Sequence, residues 1–368
     1  MIDNYRIGNH ISFLRREKGL TGEKMAEQLG VSPQAVSKWE NGKNLPETAL
    51  LPAISALLGS SIDLILMPPK ITTKKFGKND TELHRYNFVC QHISCIPQIF
   101  KIDFGSKTIV MEDLSEDYVP GYHYDKDNYE GAFIRENYQN ILQAAARWHS
   151  AFWENHKAFE QIGLDWRFET KENLAAHISM MEKDFKKYKA NEESGKIPKV
   201  WEGNFAGEPF RIENNIDVKK LDYFTDAIQQ MKTEYVPLVD SRFHSGKNVT
   251  VIHGDMNPSP VFISKSADKA VKFQGLGAVR MGLPTEDLAM LIALHFEPHK
   301  QKALPLLEEY YRQLCETVKD YPYKTFMNDY KIAIMENMFF TVRLINRKIF
   351  DFRMMEKAML AFESFVLK

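Results

Sequence analysis

Cysteine is scarce in this sequence, with three residues in a chain of 368. So small and odd a number excludes a disulfide framework, and Cys90 and Cys95 have no second pair at zinc-site spacing. Also missing are a signal peptide at the N-terminus and any apolar run close to the ~20 residues of a membrane span. These absences predict a cytoplasmic protein with reduced thiols, no metal and no membrane association.

An excess of charge of either sign is missing as well. Lys and Arg number 48 against 49 Asp and Glu, so the formal net charge is −1 and predicts no attraction to nucleic acid or membrane. Hydrophobic residues make up 44% and charged residues 26%, which is ordinary for a globular protein. We divide the chain after the helix that Pro68 and Pro69 break and again near residue 130, into residues 1–67, 68–130 and 131–368.

The first segment has the pattern of a small helical domain. Apolar residues recur at helical spacing from Ile7 to Leu14. Thr21 predicts the N-cap of a second helix, and Ser32 followed by Pro33 predicts the start of a third. The short turns between these helices predict that the third helix projects from the domain surface.

Residues 20–66 resemble a helix-turn-helix of the XRE/lambda-repressor type over its full length. The matching positions are Ala26, Gly30, Val31, Val36, Trp39, Glu40, Gly42 and Pro46. The resemblance implies that the third helix enters a major groove of double-stranded DNA. By this resemblance, the residues near base edges are Gln34, Ala35 and Ser37, and those along phosphates are Lys38, Asn41 and Lys43. Thr21 is also among the implied DNA-binding residues.

Two features lower the affinity for DNA that we expect of this domain. The family usually has Gln where this sequence has Gly22. Basic and acidic residues are balanced in the domain: Arg6, Arg15, Arg16, Lys18, Lys24, Lys38 and Lys43 against Asp3, Glu17, Glu23, Glu27, Glu40, Glu47 and Asp63. Because non-specific affinity depends on neutralised phosphates, we expect weak binding by a monomer and predict a homodimer on a two-fold operator. A domain used for protein contact alone is the alternative.

Residues 250–289 resemble the catalytic segment of aminoglycoside phosphotransferases, choline kinases and ecdysteroid-kinase-like proteins. His253, Gly254 and Asp255 match the family's His-Gly-Asp, and Asp255 corresponds to its base. The family then has an Asn where this sequence has Pro260. Further on it has an Asp-Phe-Gly-like triplet, whose Asp corresponds to Gly275.

These two departures concern magnesium. In the family, the Asn and Asp oxygens hold the Mg²⁺ that neutralises the transferred phosphoryl group. Pro260 and Gly275 have no side-chain oxygen. The segment therefore predicts a vestigial site, with His253 and Asp255 left and the metal-ligand positions lost.

Residues 68–130 leave room for only part of the upper lobe of a kinase-like domain. Only one strand fits before a helix that begins near Thr81, and no GxGxxG phosphate loop precedes it. By resemblance, these are remnants of a nucleotide pocket: Lys74 or Lys75 would be the lysine that the family carries on a strand of the upper lobe, with Glu82 as its helix partner. A solvated basic strand edge is the alternative. Glu112 lies in a stretch that resembles the hinge between lobes.

The last segment is expected to be mostly helical. A helix at 138–153 would hold His149 as a core residue, Asp287 would bind backbone near the catalytic turn, and one helix would run from Lys324 to the end. The predicted fold class is thus an all-α helix-turn-helix head plus an α+β protein-kinase-like domain with a truncated upper lobe and a mainly helical lower lobe.

The sequence leaves three functions open. The first is a transcriptional regulator whose degenerate kinase-like body has no cofactor and serves for sensing a small-molecule effector, for dimerisation or for protein contact. The second is an active phosphotransferase for an aminoglycoside or choline-like substrate, using Mg²⁺ and ATP with rearranged ligands such as Asn257. The third is a toxin–antitoxin-like fusion.

Overall fold

The computed structural model describes residues 4–68, 70–77, 80–121, 137–163, 169–205 and 208–367. They form two compact units. The first unit comprises Met1–Lys74 and Val110–Glu116, and the second comprises Lys75–Ile109 and Asp117–Lys368. The boundaries predicted near residues 67 and 130 stay predictions, and residue 130 lies outside the described residues.

Five helices build most of the first unit: α1 (Asn4–Glu17), α2 (Gly22–Leu29), α3 (Pro33–Glu40), α4 (Leu51–Leu58) and α5 (Ile62–Leu66). Each contributes at least one buried side chain to a common core: Ile7, Ile11, Met25, Ala26, Val36, Trp39, Leu51, Ile54, Leu58 and Ile65. Burial of this apolar surface is the main force that holds such short helices together, because helices of this length are marginal alone.

Local signals fix where α2 and α3 begin and end. The hydroxyl of Thr21 accepts the N–H of Lys24 at 3.1 Å, and α2 ends at Gly30, whose φ of 66° favours glycine. The hydroxyl of Ser32 accepts the N–H of Ala35 at 3.2 Å, with proline at the first helical position. The caps predicted from the sequence are thus confirmed.

Four strands and a helix follow the head: β1 (Ile71–Lys75), α6 (Thr81–Val89), β2 (Ile99–Asp103), β3 (Thr108–Glu112) and β4 (Tyr118–Pro120). In the first unit, β1 lies beside β3, and the carbonyl of Lys70 accepts the N–H of Asp113 at 2.5 Å. The first two residues of β3 belong to the second unit, as does the whole of β2. The strand expected before Thr81 and the helix expected to begin near Thr81 are thus confirmed, whereas β4 was not predicted from the sequence.

Nine α-helices dominate the described remainder of the second unit: α7 (Tyr138–Ala151), α8 (His156–Ile162), α9 (Lys171–Glu193), α10 (Asp222–Gln230), α11 (Val236–Ser245), α12 (Pro284–Leu288), α13 (Lys300–Leu314), α14 (Tyr323–Asn346) and α15 (Phe352–Phe362). Wider π-helical turns occur at Met231–Tyr235, Ala289–Phe296 and Glu363–Leu367. Every residue from Ala289 to Phe296 is buried, so this segment forms the centre of the unit.

Six short strands complete the second unit: β5 (Val200–Phe205), β6 (Glu208–Glu213), β7 (Thr250–Ile252), β8 (Val261–Ser264), β9 (Val271–Phe273) and β10 (Arg280–Gly282). Antiparallel pairs join β5 to β6 and β7 to β10, and β8 lies between β4 and β9. The β5–β6 hairpin is not predicted by the sequence pattern.

The single helix predicted from Lys324 to the end is wrong. The chain leaves the helix after Asn346, where Lys348 adopts a φ of 67°. The N–H of Ile349 bonds to the carbonyl of Leu344, and that of Lys348 to Ile345, both at 2.9 Å. This is a Schellman-type ending formed without glycine, so the usual sequence signal for it is absent.

Among the described residues, the helices are too short or too polar for any of them to cross a lipid bilayer.

Candidate functional site

The face of α3 predicted to read DNA lies in solvent. Gln34, Ser37 and Lys38 are exposed and Ala35 is half-buried, whereas Trp39 on the opposite face is 5% exposed. A buried inner face and a polar outer face leave these side chains free to approach base edges and phosphates.

Two of the predicted DNA-binding residues also have structural bonds. The amide of Asn41 donates to the carbonyl of Ser37 at 2.7 Å and so caps the end of α3. The hydroxyl of Thr21 caps α2, as described above. Lys43 is exposed just after α3. Of this group, the lysine is best suited to a phosphate contact.

An ion pair fixes α3 against α1. The guanidinium of Arg15 donates to both carboxylate oxygens of Glu40, at 2.5 and 2.8 Å, and Ser12 donates to the same carboxylate at 3.1 Å. A bidentate pair specifies orientation as well as contact. The recognition helix is therefore held at one angle to its neighbour.

In the second unit, the turn that begins at His253 follows β7 directly. We call it the catalytic turn after the family segment that it resembles. The buried carboxylate of Asp287 accepts the backbone N–H of His253 at 2.7 Å and that of Gly254 at 2.8 Å. Gly254 has a φ of 77°, and a Cβ there would lie 2.3 Å from the carbonyl oxygen of Ala278. Glycine is therefore required, and Asp287 holds the turn as expected from the sequence.

His149 is a core residue, in keeping with the interpretation from the sequence. Its ring is fully buried, with Nε2 3.1 Å from Asp287 and Nδ1 2.7 Å from the hydroxyl of Tyr310. Burial tends to raise the pKa of Asp287, but interactions with His149 and His253 together outweigh burial and lower that pKa overall. The carboxylate thus stays ionised at the base of the turn.

His253 also has a structural part in the turn. Its Nε2 lies 2.8 Å from the carbonyl oxygen of Gln274, which ties the turn to the chain after β9. The neighbouring Asp255 is held by the amide of Asn257, which donates to its Oδ1 at 2.8 Å. Burial raises the pKa of Asp255.

Asn257 is a poor substitute for the lost amide ligand. Its side-chain nitrogen is bonded to Asp255, and its oxygen accepts the N–H of Ser259 at 2.8 Å. Both ends of the amide therefore stabilise the turn.

The two positions expected to have lost metal ligands lie side by side. A Cβ built on Gly275 would be 3.9 Å from the Cβ of Pro260, and the N–H of Gln274 bonds to the Pro260 carbonyl at 2.9 Å. Neither side chain offers an oxygen to Mg²⁺. Among the described residues, no three His, Cys, Asp or Glu side chains converge as a metal site. The loss of magnesium binding at these two positions stays a prediction.

Two residues of α6 lie against this loop. The hydroxyl of Tyr86 accepts the N–H of Gly275 at 3.2 Å, and the guanidinium of Arg85 donates to the carbonyl of Gly277. Tyr86 is 1% exposed, and burial raises the pKa of its hydroxyl. Sequence reasoning missed both residues, because their partners are 189 and 192 positions away and no motif links them.

The remaining predicted positions differ in how far they are exposed. Lys74 and Lys75 are exposed on β1, Glu82 is half-buried in the first turn of α6, and Glu112 is 9% exposed at the end of β3. Their assignment to a nucleotide pocket stays a prediction.

Comparison with known proteins identifies the head. Residues 11–65 match the family model described as Helix-turn-helix. The ImmF control region 10 kDa protein of Bacillus phage phi105 is 36% identical over 67 residues, which are 18% of this chain and 74% of that protein. Through these residues the chain belongs to the helix-turn-helix family, and the resemblance found in the sequence is confirmed.

A second relative is the HTH-type transcriptional activator BcrR of Enterococcus faecalis. It is 40% identical over 77 residues, which are 21% of this chain. The matched region spans only 38% of the length of BcrR. The likeness is therefore to a part of BcrR only.

Solved structures similar over most of the chain include the choline kinase LicA from Streptococcus pneumoniae, with a TM-score of 0.44, 15% identity and coverage of 82% of this chain and 88% of that one. Another is a GDP complex of aminoglycoside 2'-phosphotransferase-IIIa, with a TM-score of 0.42, 11% identity and coverage of 82% and 95%. These are likenesses of overall fold and extend to nothing else.

Proposed function

We propose that this chain is a DNA-binding transcriptional regulator whose kinase-like body has lost phosphotransfer and responds to a small molecule. The observation that carries the loss is the pairing of Pro260 with Gly275 at the adjacent positions where metal ligands are needed. The hydrogen bond from the N–H of Gly275 to the hydroxyl of Tyr86 supports the loss of phosphotransfer, because it joins helix α6 to the loop that would otherwise face the metal.

The exposed face of α3 supports the DNA-binding part of the proposal. Its polar side chains have room to reach bases, and the ion pair between Arg15 and Glu40 fixes the helix that bears them. BcrR, whose head is similar, is named a transcriptional activator. The balanced charge of the head favours a homodimer on a two-fold operator, since two heads double the phosphate contacts.

Calorimetry with magnesium and ATP tests the loss of phosphotransfer. We expect no heat of nucleotide binding and no ADP released when aminoglycosides or choline-like alcohols are added, because Pro260 and Gly275 offer the metal no side-chain oxygen. Binding of DNA by the same preparation controls for folding. Micromolar Mg·ATP binding, with ADP released in the presence of a hydroxylated compound, would overturn this part of the proposal.

Replacing Gln34 with alanine tests base reading. With an operator selected from random duplexes, we expect Gln34→Ala to weaken binding and relax the preference at one base pair by ~1–3 kcal/mol. Lys43→Ala should instead reduce the salt dependence by about one phosphate contact. Gln301→Ala, on an exposed site of α13, is the matched control. Unchanged affinity and preference in Gln34→Ala would contradict base reading by this residue.

The alternative is an active phosphotransferase. The observation in its favour is Asp255, which sits in the turn at the position of the family's base. The bonds of Asn257 to Asp255 and Ser259 weigh against it, since the amide proposed as a replacement ligand is already engaged.

A further inference from the structure

A groove of about 640 Å³ runs along the head between α1, the start of α2 and α3. Helix α1 contributes Arg16 to its wall, α2 contributes Gly22 and Glu23, and α3 contributes Ser37 and Asn41. Since the three helices share one hydrophobic core, the groove is built into a single folded domain.

The groove is continuous with the face of α3 that is expected to lie on DNA. Ser37 and Asn41 belong both to that face and to the groove wall, and both are exposed. A helix with its side chains is about 10–12 Å across and the major groove is about 12 Å wide, so the two DNA strands pass close on either side of an inserted helix. One strand would therefore run along this groove and bring its phosphates there.

Gly22 leaves the groove open at the start of α2. Nothing lies within 4 Å of a Cβ built at this position. The family usually has the longer Gln here. The space is therefore available to a phosphate and to a long side chain that reaches it from α1.

Arg16 is suited to hold that phosphate. Among the described residues that line the groove, it is the only basic one. Its guanidinium is exposed and makes no hydrogen bond or ion pair with any described residue, whereas the neighbouring Arg15 is bound to Glu40. A guanidinium carries five N–H donors, and phosphate oxygens are among its best acceptors.

Two acidic side chains also line the groove. Glu40 is neutralised by its bidentate pair with Arg15. Glu23 is exposed to solvent, where salt screens its charge. The groove thus offers a phosphate one unpaired cation, which is opposed only by a screened carboxylate.

We propose that this groove receives the sugar-phosphate backbone of one operator strand and that the guanidinium of Arg16 bonds a phosphate there. The inference rests on the proposed function, because it assigns a phosphate contact to a DNA-binding head. Arg16 adds a contact from α1 to those expected of α3, and it positions the head on the duplex without reading sequence.

The salt dependence of operator binding tests this contact. With an operator selected by the natural chain, Arg16→Gln should weaken binding about tenfold, which is the order for losing one hydrogen bond to a charged group. It should also reduce the slope of log K against log salt by about 0.9, the value for one phosphate of duplex DNA. Circular dichroism confirms that the variant is folded.

Lys18→Gln is the matched control, because it makes the same change of charge two residues further on. Lys18 is exposed, does not line the groove, and has its Nζ 3.0 Å from a Cβ built at Gly59. We expect this variant to keep the affinity and the salt slope of the natural chain. Equal losses in Arg16→Gln and Lys18→Gln would show a general effect of charge and overturn the site.

Operators that carry one uncharged methylphosphonate locate the phosphate. At the contacted position, this substitution should weaken binding by the natural chain about tenfold. In Arg16→Gln the same operator should lose less than about twofold, because the two changes remove one shared contact. If no position distinguishes the natural chain from Arg16→Gln, then Arg16 touches no phosphate and the inference fails.

The same measurements separate this inference from the proposed function. Operator binding that responds to Gln34→Ala as expected and is unchanged in Arg16→Gln would refute the groove contact and leave the DNA-binding function standing. If the natural chain binds no duplex from a random pool, both the function and the contact are refuted.

Discussion

Asp287→Ala should lower the free energy of unfolding of the second unit by about 3–5 kcal/mol, the range for breaking a buried charged pair. The substitution removes the acceptor of the two backbone N–H groups at His253 and Gly254 and leaves His149 without its carboxylate. All of these groups lie in or beside the core, where water cannot easily replace the lost bonds.

Chemical denaturation followed by far-ultraviolet circular dichroism measures the effect. Asp287→Asn is the informative companion, because one amide oxygen can still accept one N–H group, and we expect it to lose less than the alanine variant. Glu308→Ala on α13, an acidic residue without a described role in the turn, should change stability by less than about 0.5 kcal/mol. A loss below about 1 kcal/mol in Asp287→Ala would show that the turn does not depend on this carboxylate.

The same carboxylate predicts how stability depends on pH. Folding lowers the pKa of Asp287, so the unfolded state binds a proton more readily than the folded state. Its contribution to stability is therefore complete above the ordinary pKa of an aspartate and is lost as pH falls through the lower folded-state value. In Asp287→Ala this acid-dependent loss should be smaller.

The role of Asp287 was predictable from the family resemblance alone, because its partners His253 and Gly254 lie 34 and 33 positions away in the chain. The caps at Thr21 and Ser32 were predictable from the residues themselves, since each hydroxyl bonds a backbone N–H three residues on. Such interactions are encoded within a few residues.

Other features depend on distant partners and left no pattern in the sequence. Tyr86 reaches Gly275 across 189 positions. In the β5–β6 hairpin, Trp201 meets Phe210 edge to face at 4.7 Å, and Gly203 leaves space for the Phe210 ring. The pairing is visible only once the strands are adjacent. The replacement of the family's Asp by Gly275 could be recognised in the sequence. The contact of Tyr86 with Gly275 could not.

Gly8→Ala should disrupt the head, with a loss of about 3 kcal/mol or more in its free energy of unfolding. A Cβ at Gly8 would lie 2.0 Å from the carbonyl oxygen of Trp39 and 3.0 Å from both the Glu40 oxygen and the Gly42 nitrogen. All three are backbone atoms, so no side-chain rotation relieves the clash, and α1 must separate from the end of α3.

Separation of these helices also predicts a loss of DNA binding. The ion pair between Arg15 and Glu40 needs α1 and α3 at their present distance, and it orients the helix whose exposed face would read bases. We therefore expect Gly8→Ala to abolish operator binding while the second unit keeps its fold. Hydrogen exchange measured by mass spectrometry resolves the two effects, with faster exchange confined to the five helices of the head, α1 to α5.

Gly22→Ala is the matched control, because nothing lies within 4 Å of a Cβ at that position and its φ is outside the left-handed region. Alanine is the better helix former by roughly 0.5–1 kcal/mol in a helix interior, so this variant should be as stable as the natural chain or slightly more so. The contrast isolates the close approach at Gly8 from the general effect of replacing a helical glycine. Retained operator binding and unchanged exchange in Gly8→Ala would mean that α1 does not constrain the recognition helix, and the orientation of α3 would then need another cause.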